Sequence, residues 1–266
     1  MKTRPPAVAG MFYPDSVPAL EAEVSAYLEQ GTPASAGPVP GAGPKAIVAP
    51  HAGYRYSGPI AGSAYARLAP LRQRVERVIL SGPSHFVGFR GIAASSADAF
   101  DSPLGRVPVD RACIDQLVDQ RLISILDEAH RREHSLEVHL PFLQQCLDRF
   151  SLVPLVVGDA APREVAAVFE AVWGGDETLL VISSDLSHYL DYTTAQRLDR
   201  RTADAIEALD PDAIDVDQAC GRLPIQGLLL LAREKGMKAE TVDLRSSGDT
   251  AGPRNEVVGY GAFCFR

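Results

Sequence analysis

TLLVISS, residues 178–184, is an apolar stretch that ends in two serines and is followed by Asp185 and His188. Polar and apolar residues do not alternate in it, which is typical of a strand covered on both faces. The same pattern returns at residues 45–50, 77–82 and 152–158. Each stretch leads into Gly, Ser, Pro, Asp or His. We interpret all four as core strands of one sheet.

Segments with helical spacing separate these strands. They cover residues 59–68, 111–120, 162–172, 195–209 and 225–235, and a further one, residues 15–30, precedes the first strand. Strand and helix alternate along the chain, which predicts the α/β fold class. We expect a single three-layer α/β/α domain over residues 1–266, with a central β-sheet that is mainly parallel or mixed.

Two features lie outside this alternation. Residues 31–44 are rich in Gly, Pro and Ala and have no apolar pattern, which predicts a flexible surface loop. Residues 240–244 and 257–265 predict two last strands. Because the second contains Gly259 and Gly261, we expect it at a sheet edge or with a bulge.

Composition excludes several classes of protein. The 266 residues include 26 Lys and Arg against 34 Asp and Glu, and the resulting net charge of −8 argues against a sequence-blind nucleic-acid binder. No apolar stretch approaches the roughly 18 to 20 residues that span a bilayer. The N-terminus lacks an apolar signal core, and the four Cys contain no CxxC pair. These features predict a cytoplasmic protein with reduced thiols and no membrane partner.

Histidines follow several of the predicted strands. His51 comes after the first core strand, His85 after the second, and Asp185 and His188 after a later one. The carboxyl ends of parallel strands share one edge, where ligands bind, so these side chains are expected to converge. The alternative for a single residue such as His51 is a loop histidine bonded to backbone, and Asp185 also suits a helix cap.

A second cluster lies in EHSLEVHLP, residues 133–141. His134 and Glu137 are three residues apart and would share one face of a helix. Pro141 leaves the local structure open. In the preceding charged stretch, we expect His130 to be a solvated surface residue and Glu133 to belong to an exposed charged loop.

The cysteines divide into two kinds. Cys113, Cys146 and Cys264 lie within apolar patterns and are expected to be buried as small hydrophobic residues. Cys220 lies in a turn-like segment before an apolar helix. It suits a helix N-terminal thiol of lowered pKa or a metal ligand equally well.

Six motifs, in order along nearly the whole chain, resemble the successive signatures of the Memo family. They are AGMFYP at 9–14, APHAGY at 49–54, GPSH at 82–85, EHSLEVHLP at 133–141, SSDLSH at 183–188 and CGR at 220–222. Bacterial and archaeal members are also called AmmeMemoRadiSam system protein B. The family is similar in fold to the catalytic subunit of class III extradiol dioxygenases, which use non-haem Fe(II).

The resemblance implies a mononuclear metal site in this chain. Its ligands would be His51, His85 and Cys220, and His188 would be the acid/base residue in a pocket that Asp185 also lines. His134, Glu137 and His139 would lie close by. The implied cofactor is Fe(II), with copper or Zn(II) as alternatives, because a thiolate in place of the usual carboxylate makes the site softer.

Three functions remain open from the sequence. The first is a dioxygenase-like, metal-dependent oxidoreductase of unknown substrate, with His188 as the catalytic acid/base and Asp185 orienting it. The second is a non-catalytic module that binds a small-molecule or peptide ligand in the same His-rich pocket. The third is metal-assisted hydrolysis. The family name also suggests a pathway shared with a radical-SAM protein.

Overall fold

The fold is an α/β/α domain, described by a computed structural model for residues 2–32 and 43–266. Its helices are α1 (Val17–Gly31), α2 (Tyr54–Tyr65), α3 (Arg111–Asp119), α4 (Asp127–Arg131), α5 (Leu140–Cys146), α6 (Pro162–Ala171), α7 (Tyr192–Glu207) and α8 (Arg222–Glu234). Its strands are β1 (Thr3–Arg4), β2 (Ala46–Ala49), β3 (Arg77–Pro83), β4 (Ile92–Ala94), β5 (Ala99–Ser102), β6 (Gly105–Pro108), β7 (Ser124–Ile125), β8 (Ser151–Val157), β9 (Thr178–Ser183), β10 (His188–Leu190), β11 (Ala239–Ser246) and β12 (Val257–Phe265).

The main sheet is mixed, with a parallel centre. Its strand order is β10-β12-β2-β9-β3-β8-β4-β7, and β11 pairs with β12. The neighbours β2, β9, β3 and β8 run parallel. Strand β12 is antiparallel to all its neighbours, whereas β4 is antiparallel to β8 and parallel to β7. The four stretches that the apolar pattern marked as core strands form this parallel centre, and every residue of β2 and β9 is buried. The predicted fold class is therefore confirmed.

Helices cover the sheet in two groups. Helices α6 and α8 pack on each other, and α8 contacts β3 and β9. Helices α1, α2 and α5 pack together, and α2 contacts β2 and β12. A separate small sheet of β1, β5 and β6 ties the N-terminus to the chain after β4. The sequence patterns did not predict this small sheet, because its strands are only two to four residues long.

Several boundaries differ from the sequence expectations. Helix α2 begins at Tyr54 rather than at Pro59, which lies inside the helix. Helix α7 begins earlier than expected because Asp191 caps it by accepting the backbone N–H of Thr194 at 3.0 Å. Most of the loop expected at residues 31–44 lies outside the described residues, namely residues 33–42.

Strand β12 is not at an edge, so that expectation was wrong. It lies between β2 on one side and β10 and β11 on the other. The irregular pairing falls opposite it, between Thr241 and Asp243 of β11 and between His188 and Leu190 of β10. The three cysteines that were expected in the core are buried. No helix in the described part of the chain is both long enough and apolar enough to cross a membrane.

Candidate metal centre

A cavity of about 910 Å³ opens at the carboxyl ends of β2, β3 and β9. The polar side chains in its wall include His51, His85, His134, Asp185, His188 and Cys220. These residues are up to 169 positions apart in sequence, and the shared edge of the parallel strands brings them together. We call this space the metal cavity.

Three imidazoles form the cluster best suited to an ion. The ligand atoms of His51, His85 and His134 lie within 4.8 Å of one another. The rings of His85 and His134 are stacked at a centroid distance of 4.7 Å, and His51 meets both edge-on. Positive charges on rings packed this closely would repel one another. Burial, followed by the neighbouring imidazoles, accordingly holds the pKa of His51 well below its usual range.

A serine fixes the tautomer of His51. Its Nδ1 lies 2.6 Å from Oγ of Ser183, and that hydroxyl donates its only proton to the carbonyl of Ser135 at 2.6 Å. Oγ must therefore accept the Nδ1–H of His51. The lone pair of His51 is left on Nε2, which points into the metal cavity. A neutral imidazole held in this way is prepared to bind a metal.

Glu133 performs the same task for His85. Its Oε1 lies 2.8 Å from Nδ1 of His85, and its Oε2 accepts the backbone N–H of that residue at 2.6 Å. Burial alone would raise the pKa of Glu133, but the hydrogen bonds that it accepts from His85 and from the backbone N–H of Ser135 lower it to about 2. Glu133 was expected in an exposed loop and is instead buried. The ionised carboxylate accepts Nδ1–H and leaves Nε2 free for an ion.

We expect Glu133→Gln to weaken metal binding by about 10- to 100-fold, the usual effect of losing a carboxylate behind a histidine ligand. The amide can donate to Nδ1 and so allow the wrong tautomer of His85. The measurement is anaerobic titration with Fe(II) or Zn(II) against a chromophoric chelator. Glu128→Gln, at an exposed ion pair with Arg131, is the control. If Glu133→Gln bound the metal within twofold of the affinity of Glu128→Gln, Glu133 would not have the role of orienting His85.

Cys220 contacts the ring of His51. Its Sγ is 3.3 Å from Nε2 of His51 and accepts the backbone N–H of Asp185 at 3.3 Å. Burial and the charge of Asp185 raise the pKa of the thiol to about 12, so the metal-free protein holds a protonated thiol. That thiol has two acceptors within reach, Nε2 of His51 at 3.3 Å and the carbonyl oxygen of Asp185 at 3.6 Å. An ion that binds here replaces the thiol proton.

Gly221 explains how Cys220 comes so close to β9. Its N–H donates to Oγ of Ser184 at 2.9 Å. A Cβ at this position would lie 2.5 Å from the carbonyl oxygen of Ser183, closer than any real contact. Only glycine permits this approach, and α8 begins at the next residue. The Cys-Gly pair of the sequence is therefore a geometric requirement of the site.

Asp185 is hydrogen-bonded to the backbone of His51. Its Oδ1 accepts the backbone N–H of His51 at 2.8 Å, and its Oδ2 lies 3.9 Å from Nε2 of the same residue. Burial raises the pKa of Asp185 to about 6. Between the described atoms of Asp185 and His188 there is no hydrogen bond. His188 lines the cavity from β10, where the neighbouring Tyr189 has a left-handed backbone with φ 58°.

Two residues implied to lie near the metal do not line the cavity. Glu137 is fully buried and pairs with Arg4, accepting also from the backbone N–H of Ala7 at 2.7 Å. His139 lies in the core, with its Nδ1 2.9 Å from the hydroxyl of Tyr65. Burial lowers the pKa of His139 to about 3, so this ring is neutral. Both residues are therefore outside the cavity wall, but they lie near enough to affect its histidines, His139 through the pKa of His51 and Glu137 through that of His134.

His130 corrects another expectation. We predicted a solvated residue, but only 2% of it is exposed, because α4 turns this side chain toward the core. Its Nε2 lies 3.0 Å from the carbonyl oxygen of Ala93. Burial lowers the pKa of His130 to about 4.

Sequence reasoning missed three residues that shape the site. Ser183 and Glu133 orient the two histidines, and Phe12 packs against His134 at a ring distance of 4.7 Å. Each of these residues lies in or next to a strand, residue or motif that the sequence had already indicated. Ser183 ends a core strand, Glu133 precedes His134, and Phe12 lies in the AGMFYP motif.

Comparisons with known proteins agree with the motifs. The model of the family described as Memo-like protein matches residues 4–264. A MEMO1 family protein of Methanococcoides burtonii is 37% identical over 274 residues, with 97% of this chain and 98% of the relative covered. Its counterpart in Archaeoglobus fulgidus is 36% identical over 275 residues, with 99% of both covered. The MEMO1 family protein of Aquifex aeolicus is 34% identical over 275 residues, with 98% of both chains covered. This chain therefore belongs to the Memo-like protein family.

Proposed function

We propose that the protein binds one transition-metal ion through His51, His85 and Cys220 and acts as a metal-dependent oxidoreductase. One observation carries the proposal. Two imidazoles, each with its Nδ1–H engaged, direct Nε2 into a cavity where a thiol lies 3.3 Å from one of them. His134 adds a third nitrogen within reach of the other two.

The spacing of His51 and Cys220 fits two ligands of a single ion. Bonds of about 2.1 Å to nitrogen and about 2.3 Å to sulfur put two ligands of one ion roughly 3.1 to 3.6 Å apart. The separation of 3.3 Å between His51 Nε2 and Cys220 Sγ lies within that range. The backbone N–H of Asp185 that points at Sγ also favours the thiolate form that a metal needs.

Fe(II) is the ion that we propose, with copper and Zn(II) as the competing ions. Imidazole suits all three, and a thiolate favours the softer ones. A bound Fe(II) would supply open positions for oxygen and substrate. Residues of the chain would transfer the proton and position the ligands. His188 accepts a proton from a substrate hydroxyl at a ring nitrogen, and Asp185 holds the loop of His51 in place.

The cavity wall defines what the ligand can be. No Lys or Arg is among the described residues that line it. A negative group of the ligand is therefore met only by the ion and the imidazoles. Apolar side chains form much of the rest, and Tyr189 and Val216 are 73% and 72% exposed at its mouth. These features favour a ligand with an apolar body and one group that binds the metal.

The test is oxygen uptake by protein loaded anaerobically with Fe(II). Catechol and 3,4-dihydroxybenzoate serve as probes, and wild type is compared with His188→Gln at equal metal content. We expect uptake above the rate of free Fe(II) in the wild type and at least about a hundredfold less in the variant. Equal rates in both proteins would contradict catalysis by His188.

A wild-type protein that holds its metal but consumes no oxygen with either probe would favour the ligand-binding module. Stable metal binding combined with turnover of esters by the Zn(II) form, without oxygen, would favour hydrolysis. The pathway link to a radical-SAM protein and the cytoplasmic location stay predictions.

A further inference from the structure

A second cavity, of about 500 Å³, lies beside α6 and is lined by three arginines. Arg90 ends the loop that follows β3, Arg121 follows α3, and Arg163 is in the first turn of α6. We call this space the arginine pocket. Its volume is within the range of small-molecule sites. The loop of residues 84–91 connects it to the metal cavity, because His85 lies near the start of that loop and Arg90 near its end.

None of these three guanidinium groups has a hydrogen-bond or ion-pair partner among the described residues. Elsewhere in the chain, arginines commonly have an acidic partner, as in the pairs of Arg72 with Asp148 and Arg77 with Asp110. The net charge of −8 makes such partners abundant. No such partner among the described residues meets the three arginines of this pocket.

The single acidic residue of the pocket does not neutralise them. Glu164 uses its carboxylate to accept the backbone N–H of Ala161 at 2.7 Å and so caps α6. Arg163, in the same first turn, lies at the helix end where a positive charge is unfavourable. An anion in the pocket would remove this repulsion. The helix end and the three arginines thus both favour a negatively charged ligand.

Arg121 occupies a position where glycine would be less costly. It has φ 60° at the end of α3, with its N–H bonded to the carbonyl of Val118 at 2.9 Å. The N–H of Leu122 reaches back to the carbonyl of Leu117 at 3.0 Å, which completes a helix-ending motif that favours glycine. Arginine here keeps a charge over the pocket at the expense of backbone strain.

We propose that the arginine pocket binds a small multivalent oxyanion that carries phosphate or carboxylate groups. Guanidinium groups form paired hydrogen bonds with both kinds of oxyanion. The site is separate from the metal cavity and does not depend on the oxidoreductase activity. Its position on the loop of His85 places a fixed positive charge next to the segment that carries a metal ligand.

Isothermal titration of metal-free protein with pyrophosphate and with citrate tests the proposal. We expect wild type to bind at least one of them with a stoichiometry of one. Arg121→Gly, Arg90→Gln and Arg163→Gln should each weaken that binding at least about tenfold, the loss expected for one charged hydrogen bond. The control is Arg201→Gln, which removes an exposed arginine on α7, outside the pocket.

Thermal unfolding separates binding from folding. Without ligand, Arg121→Gly should melt no lower than wild type, because glycine relieves the strain at φ 60°. Its loss of binding then reports the missing guanidinium. Tight binding of pyrophosphate alone identifies a phosphate ligand, and binding of citrate alone identifies a polycarboxylate. Wild-type binding weaker than about 1 mM for both, or equal affinity in the pocket variants and in Arg201→Gln, would overturn the proposal.

Discussion

His51→Ala should abolish stoichiometric metal binding, and Cys220→Ser should weaken it by more than about a hundredfold. A structural zinc site of four ligands contributes about 10–16 kcal/mol, so one ligand is worth roughly 3 kcal/mol. His51 is central, because its Nε2 lies 3.3 Å from the thiol of Cys220 and its ring belongs to the cluster with His85 and His134. Metal analysis of anaerobically dialysed protein gives the ratio of ion to chain.

Two further variants make this measurement specific. Cys264→Ala removes a buried thiol of β12 that does not line the metal cavity and should leave the ratio unchanged. His134→Ala removes the third nitrogen of the cluster and should reduce affinity less than His51→Ala does. If His51→Ala retained as much metal as wild type, the assignment of the metal centre would be wrong.

The outline of this site could be predicted because it follows from topology. An apolar stretch without alternation predicts a buried parallel strand, and parallel strands end at the same edge. His51, His85 and His188 each follow such a strand or its connection, so their convergence in one cavity needs no knowledge of side-chain contacts. The cavity wall contains all three.

The partners of these histidines could not be predicted, because they depend on contacts across large sequence separations. Glu133 and His85 are 48 residues apart, and His51 and Ser183 are 132 apart. Which carboxylate or hydroxyl meets an imidazole is decided by strand register and rotamer. His130 was misplaced for a related reason, since α4 is only five residues long and too short for a periodic pattern to reveal its inward face.

The glycines of β12 reflect close packing of another group, whereas we had inferred an edge position or a bulge. Glycine in a strand suggests an edge or a bulge, but it also marks close approach of another group. A Cβ on Gly259 would lie 2.0 Å from Oδ2 of Asp199, a buried carboxyl whose Oδ1 accepts the backbone N–H of Ser187 at 3.0 Å. The glycine makes room for an anchor of the turn before His188. Sequence alone does not distinguish these two causes.

Glu137 has a structural role that the resemblance did not imply, and its replacement should cost much stability. This one carboxylate contacts the N-terminal strap, residues 4–13, at several points. It pairs with Arg4, accepts the backbone N–H groups of Ala7 and Val8 at 2.7 and 2.9 Å, and accepts the hydroxyl of Tyr13 at 2.7 Å. The strap also contains Phe12, the neighbour of His134.

Glu137→Gln should lower the free energy of unfolding by about 3–5 kcal/mol, because it leaves a charged Arg4 buried without a counter-charge. The side chains of Arg4 and Glu137 are 5% and 0% exposed, so water cannot replace the lost partner. Urea unfolding of metal-free protein, followed by circular dichroism, gives the value. Asp148→Asn, at the exposed pair with Arg72, should cost no more than about 1 kcal/mol.

The double variant Arg4→Met with Glu137→Gln tests the cause of this loss. If the unpaired buried charge is responsible, removing Arg4 as well should recover part of the stability, and the two substitutions will not be additive. Additive losses would instead mean that the carboxylate acts mainly through Ala7, Val8 and Tyr13. A cost for Glu137→Gln as small as that of Asp148→Asn would contradict the buried pair altogether. In either case, loosening the strap should also release Phe12 from His134. Faster hydrogen exchange of residues 4–13 would detect this loosening directly.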